Sequence, residues 1–149
     1  DLQEIIKKNI SLQKMNAEKK NITIDNKIPD PCPILADEDM LTAIIRNLLS
    51  NAIKFSYPDS KVTLDFAEKD ENVEIKVIDR GMGMTQETIN KLFRLDVHYS
   101  TKGTSEEQGT GLGLILCHEF VEKHGGKIDV NSKLGEGSTF TIAIPKKQP

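Results

Sequence analysis

The sequence predicts an α+β fold: a two-layer α/β sandwich in which helices cover one face of a mixed, largely antiparallel sheet, with one long loop set into it. Three observations carry this prediction. Residues 37 to 55, DEDMLTAIIRNLLSNAIKF, place apolar side chains at Met40, Leu41, Ile44, Ile45, Leu48, Leu49, Ala52 and Ile53, a stripe that one face of a helix buries. Four segments alternate apolar and polar residues, and short turns join them in pairs, Val62–Phe66 with Val73–Val77 and Lys127–Ser132 with Ser138–Ile144. A second apolar helix, Leu112 to His124, separates the two pairs, so hairpins and helices must share one core.

In chain order, residues 1 to 19 read as a helix with Leu2, Ile5, Leu12 and Met15 as its apolar positions. It is read as standing apart from the sandwich. Ile22 to Ile24 is a short strand, and Pro29, Pro31 and Pro33 keep the chain extended. Asp37 can cap the central helix by accepting an unpaired N–H of the first turn, while Glu38 and Asp39 suit its positive end. Tyr57 to Ser60 is a turn, and Glu68 to Asn72 connects the first strand pair, which ends at Asp79. Thr85 can cap a short helix running to Phe93. Residues 94 to 110 are polar, contain glycine and lack any period, as expected of a functional lid or a disordered loop. The helix from Leu112 stops at Gly125-Gly126, and Leu134-Gly135-Glu136-Gly137 joins the last two strands.

The 149 residues suit one domain with a sizeable core, and no internal repeat is present. A formal charge of −3 without any basic block argues against a nucleic-acid surface. No apolar run approaches the roughly 20 residues that cross a bilayer, and no secretory signal is present, so the expected compartment is the cytoplasm. Cys32 and Cys117 lack a CxxC spacing and read as reduced thiols, with Cys117 packing a helix.

Beside the apolar stripe of the central helix, Asn47, Asn51 and Lys54 recur at i, i+4 and i+7 and share a side. Alone, that stripe fits a solvated face. Asp79-Arg80-Gly81-Met82-Gly83-Met84 follows a strand directly. Asp79 there fits a turn cap, and alternate glycines also allow close backbone approach to a flat ligand. Gly109-Thr110-Gly111-Leu112-Gly113-Leu114 opens a helix, where free amides and the dipole favour an anion such as phosphate. Neither GxGxxG nor GxxxxGK[ST] fits it. Gly135-Glu136-Gly137-Ser138-Thr139-Phe140 alone reads as a hairpin turn.

Taken in order, these stretches are far more specific. NLLSNAIKFS, DRGMGM, LFRL, GTGLGL and GEGSTF follow one another as the N, G1, F, G2 and G3 boxes of one family. Residues 20 to 145 resemble the ATP-binding catalytic domain of bacterial sensor histidine kinases, within the superfamily shared with DNA gyrase, mismatch-repair and heat-shock chaperone ATPases. The resemblance implies ATP and Mg²⁺ as ligands. Asn51 would ligate the metal, Lys54 would reach the phosphates, and Phe55 would flank the base or sugar. Asp79 would accept the exocyclic N–H of adenine, Gly81 and Gly83 would let the base come close, and Thr139 would bond it directly or through water. Gly109, Thr110, Gly111, Leu112 and Gly113 would line the phosphate side. In the lid, Lys102 is the candidate partner of the γ-phosphate, Phe93 packs the hinge, and Arg94 points outward or to phosphate.

Asn47 departs from the hydrolytic branch, whose glutamate takes a proton from the attacking water, which an amide cannot do. ATP would therefore be held for transfer, with Asn47, Asn51, Lys54 and Lys102 as the catalytic set. The acceptor histidine is expected elsewhere, because His118-Glu119 departs from the acceptor pattern after its first two residues and His98 and His124 have no motif. On this reading residues 1–19 are the tail of, or linker from, a separate dimerisation hairpin, and residues 20–149 are the kinase catalytic domain. Its partners would be that phosphoacceptor domain and the receiver domain of a response regulator, with no nucleic acid and no direct membrane contact, although the parent protein could carry a membrane anchor. An ATP-gated switch ATPase and a protein serine kinase of the same superfamily are the alternatives.

Overall fold

The computed structural model describes residues 1–92 and 113–146. Its helices are α1 (Leu2–Lys19), α2 (Glu38–Phe55), α3 (Gln86–Lys91) and α4 (Gly113–Lys123), and its strands are β1 (Thr23–Asn26), β2 (Lys61–Lys69), β3 (Asn72–Asp79), β4 (Lys127–Lys133) and β5 (Gly137–Pro145). The strands form one sheet in the order β1-β2-β3-β5-β4. Only β1 and β2 run parallel, as their connection through α2 requires; every other pair is antiparallel. The mixed sheet and its helical layer agree with the fold class read from the sequence.

Local signals place the elements where expected. The Asp37 carboxylate accepts from Met40 N–H at 2.9 Å and caps α2, and Thr85 caps α3 through Thr88 N–H. After α4 the chain turns at Gly125, with φ +73°, a conformation that glycine adopts freely.

Strand alternation builds the core in rows across the sheet. Leu64, Val77, Phe140 and Val130 pair in one row, and Phe66, Ile75, Ile142 and Ile128 in the next. Against this face α2 buries Leu41, Ile44, Ile45, Leu48, Leu49, Ala52 and Ile53. Each buried leucine or isoleucine among them contributes roughly 1.5–3 kcal/mol. Helices α1 and α4 flank α2 on its two sides.

Helix α1 differs from its sequence reading. Leu2, Ile5 and Ile6 sit in the same core as the sandwich, while Leu12 and Met15 are 70% and 72% exposed. The stripe that packs is Leu2, Ile6, Asn9, Gln13, Ala17 and Lys20, spaced three and four apart. Buried Asn9 fits that stripe by donating to Ile5 O at 3.0 Å, and Gln3 donates to Ile28 O. Polar residues on the packed side hid the correct phase. Residues 1–19 thus join the helical layer of the domain.

Candidate nucleotide site

The apolar rows stop one step short of the sheet's end. Asp79 is opposite Ser138, and Ser138 opposite Ser132, on β3, β5 and β4. Period 2 puts Asp79 on the same face as Val73, Ile75 and Val77, towards the helices. The row is internally bonded. Ser138 N–H donates to Asp79 Oδ1 at 3.2 Å, the Ser132 and Ser138 hydroxyls are 2.8 Å apart, and Ser132 Oγ accepts from Met84 N–H at 2.9 Å. Asp79 is 6% exposed. Burial pushes its carboxyl up to about 7, against the backbone N–H groups of Ser138 and Gly81, which hold it down.

The glycines close this end through backbone packing. A Cβ on Gly81 would overlap Phe55 O, one on Gly83 would overlap Lys133 O, and one on Gly137 would overlap Asp79 O. Gly83 and Gly137 also have φ of +62° and +117°. Gly81 bridges Ser56, and Met82 N–H donates to Phe55 O at 3.0 Å. The glycine stretch after Asp79 is therefore fastened to the end of α2.

Along α2, Asn47, Asn51, Lys54 and Phe55 are all partly buried. Lys54 Nζ lies 4.8 Å from the centroid of the Phe55 ring. At the other end of the stripe, Asn47 Oδ1 is 3.2 Å from the position of a Cβ on Gly113, the first residue of α4. The stripe thus runs from the Asp79 end of the sheet to the N-terminus of α4. Asn47 also lies against Cys117, whose buried thiol is pushed up to about 12 by desolvation, with Asn47 and Arg46 acting in the opposite sense.

Thr139 is not part of this gathering. It pairs with Ile78 and Asn131 on the opposite face of the sheet. Ser138, 8% exposed, is the residue opposite Asp79: its N–H bonds the carboxylate and its hydroxyl meets that of Ser132. Strand parity could have identified it, since Ser138 shares its face with Phe140, Ile142 and Ile144. Phe93, Arg94, His98, Lys102, Gly109, Thr110, Gly111 and Leu112, and with them the lid, lie outside the described residues. Of the other histidines, His118 pairs with Glu122 at 3.4 Å. Buried His124 accepts from Asp37 N–H through Nε2 and meets Phe120 O through Nδ1.

The site thus consists of a carboxyl at the end of a buried strand, a polar helix side and a helix that Gly113 opens. Residues 36–148 match the family described as histidine kinase-, DNA gyrase B-, and HSP90-like ATPase, and the chain belongs to it. Within that family it is an ATP-binding catalytic domain of the sensor histidine kinase type. The sensor-like histidine kinase SenX3 of Mycolicibacterium smegmatis is 33% identical over 146 residues, spanning 98% of this chain and 38% of that protein. The sensor histidine kinase ZraS of Escherichia coli is 35% identical over 146 residues, spanning 97% and 30%. Among solved structures, the catalytic domain of the histidine kinase ThkA, nucleotide free, superposes with a TM-score of 0.81 at 27% identity, covering 98% of this chain and 95% of that one. Full-length ShkA in complex with AMPPNP gives 0.81 at 28% identity, covering 100% and 31%. The chain thus spans about a third of the length of these two curated relatives. Among the described residues no helix is long and apolar enough to cross a membrane.

Proposed function

We propose that this chain holds Mg-ATP between α2, the β3–β5 end of the sheet and the start of α4. It presents the γ-phosphoryl group to a histidine on a separate dimerisation domain, in cytoplasmic two-component signalling with a response regulator as the next acceptor. The observation that carries this reading is the polar row Asp79–Ser138–Ser132, on the helix-facing side of the sheet and fastened through Gly81 to the end of α2.

In this reading Asp79 accepts the adenine amino group, and the Ser138 hydroxyl reaches the ring directly or through water. Lys54 meets the phosphates as a point charge, and the amides at the start of α4 face them at the positive end of the helix. Lys102 and the run from Gly109 to Gly113 complete the phosphate side. Among the described residues no three His, Cys, Asp or Glu side chains cluster as metal ligands. The Asn51 amide oxygen, a hard donor, fits an ion that keeps several waters and takes its remaining ligands from phosphate. When bound, Mg²⁺ supplies neutralising charge to the phosphate oxygens. Asn47, an amide packed against Gly113 and Cys117, offers no basic atom to activate water, so ATP is held for transfer.

Calorimetric titration tests the site. Mg-ATP and Mg-ADP bind, and Mg-GTP binds much more weakly. Asp79→Asn weakens both adenine nucleotides by about 1–3 kcal/mol, the worth of a charge-assisted hydrogen bond. Asn51→Ala removes the dependence on Mg²⁺. Variants that titrate like the parent would contradict the reading.

A further inference from the structure

The C-terminal end of α2 is held from three directions. A helix leaves its last four carbonyls without partners of its own, here those of Ala52, Ile53, Lys54 and Phe55. Ala52 O accepts from Ser56 N–H and Phe55 O from Met82 N–H, both at 3.0 Å. Ile53 O and Lys54 O accept from Lys20 Nζ, at 3.0 and 2.9 Å. Lys20 is the C-cap of α1 and is 6% exposed. Its backbone oxygen also accepts from Asp59 N–H at 2.9 Å, in the turn that follows α2.

Burying an ammonium costs several kcal/mol unless its protons find acceptors in a favourable potential. Two carbonyls and the negative end of the α2 dipole meet that requirement. An exposed lysine could cap the same helix without the desolvation cost, so burial points to a demand for rigidity at this turn. The turn carries Lys54 and Phe55 and joins directly to Gly81 and Met82 of the base side.

We propose that Lys20 is a positioning residue for nucleotide binding. Its ammonium fixes the last turn of α2, and with it the reach of Lys54 to the phosphates, so that the end of α1 and the nucleotide site move as one unit. The inference rests on the ATP reading above. Asp79 and Ser138 are also held by the sheet, so loss of Lys20 acts more on the phosphate side than on the base side, which the turn touches through Gly81 and Met82.

The test is the preference of the protein for Mg-ATP over AMP, the latter measured by competition, in the parent, Lys20→Met and Lys20→Arg, with each shown to be folded by circular dichroism. Lys20→Met should lose Mg-ATP affinity by about tenfold and AMP affinity by less than about twofold. Lys20→Arg, which keeps the donors and the charge, should recover most of the preference. A merely structural role lowers Tm and leaves the preference unchanged, and that result overturns the proposal. Should Lys20→Met not fold, Lys20→Gln carries the same reading: a reduced preference supports it and an unchanged one overturns it. A parent that binds neither nucleotide overturns the ATP reading and this inference together, whereas a parent that binds and a Lys20→Met that matches it overturn the inference alone.

Discussion

Asp79 combines a titratable carboxyl with 6% exposure and the last position of a core strand. Its folded pKa, about 7, lies above the ordinary 3.8 because burial disfavours the charge. The folded chain therefore keeps a proton that the unfolded chain has released, and the stabilising contribution, fully present below the ordinary value, is lost as pH rises towards 7. Urea unfolding of the chain without nucleotide should show Asp79→Asn gaining on the parent between pH 5 and pH 8. Nucleotide acts in the opposite sense, since an adenine N–H favours the ionised carboxylate. Mg-ATP binding should release a proton near pH 7 and tighten from pH 6 to 8 in the parent. Comparison with Asp79→Asn in buffers of different ionisation enthalpy separates that proton from those of the phosphates. Asp79 stood out in the sequence because it ends an alternating run two residues before Gly81. The hydroxyl beside it was not, because Ser138 and Thr139 are adjacent and only the β3–β5 register decides which one faces in. Ser138→Ala should weaken ATP binding several-fold and Thr139→Ala by less than about twofold, since only the former is placed to lose a hydrogen bond to the base side.

At the scale of elements, caps and periods located α2, α3, α4 and the strands, because each of these elements carries its own start or stop signal. For α1 the sequence showed a helix but not its buried side. Its exposed Leu12 and Met15 compete in pattern with a packed stripe containing Asn9 and Lys20, and partners on α2 and on the chain leading out of β1 decide between them. Leu2→Ala should cost about 2–5 kcal/mol in chemical unfolding, as expected for a fully buried leucine. Leu12→Ala and Met15→Ala should each stay within about 0.5 kcal/mol. The glycines divide in the same way. Gly135 has φ +81° but nothing within 4 Å of an added Cβ, while Gly83 and Gly137 meet backbone oxygen. Gly135→Ala should cost about 1–2 kcal/mol, and Gly83→Ala and Gly137→Ala clearly more, because backbone must shift as well.

Across the whole molecule, the sandwich followed from amphipathic patterns that any stable folding of this chain must satisfy, whereas the site had to be assembled from four distant stretches. The N, G1 and G3 stretches and Gly113 converge because α2 spans the sheet from the start of α4 to the end of β3. On the proposed function that frame would hold the nucleotide and leave transfer to whatever approaches the γ-phosphate, within about 3–3.5 Å and in line with the leaving oxygen. His124 is engaged with Asp37 and Phe120, and His118 lies on α4 beyond its first turn. Successive residues of a helix recede by about 1.5 Å each from its N-terminus, which on the proposed function would face the phosphates. The most direct test of transfer without self-modification uses γ-labelled ATP and Mg²⁺ with this chain, alone and with a histidine-bearing helical hairpin from the parent protein. The account predicts little hydrolysis and no label on the chain alone, with acid-labile label appearing on the added hairpin. Stoichiometric acid-labile phosphate on the chain alone would contradict it.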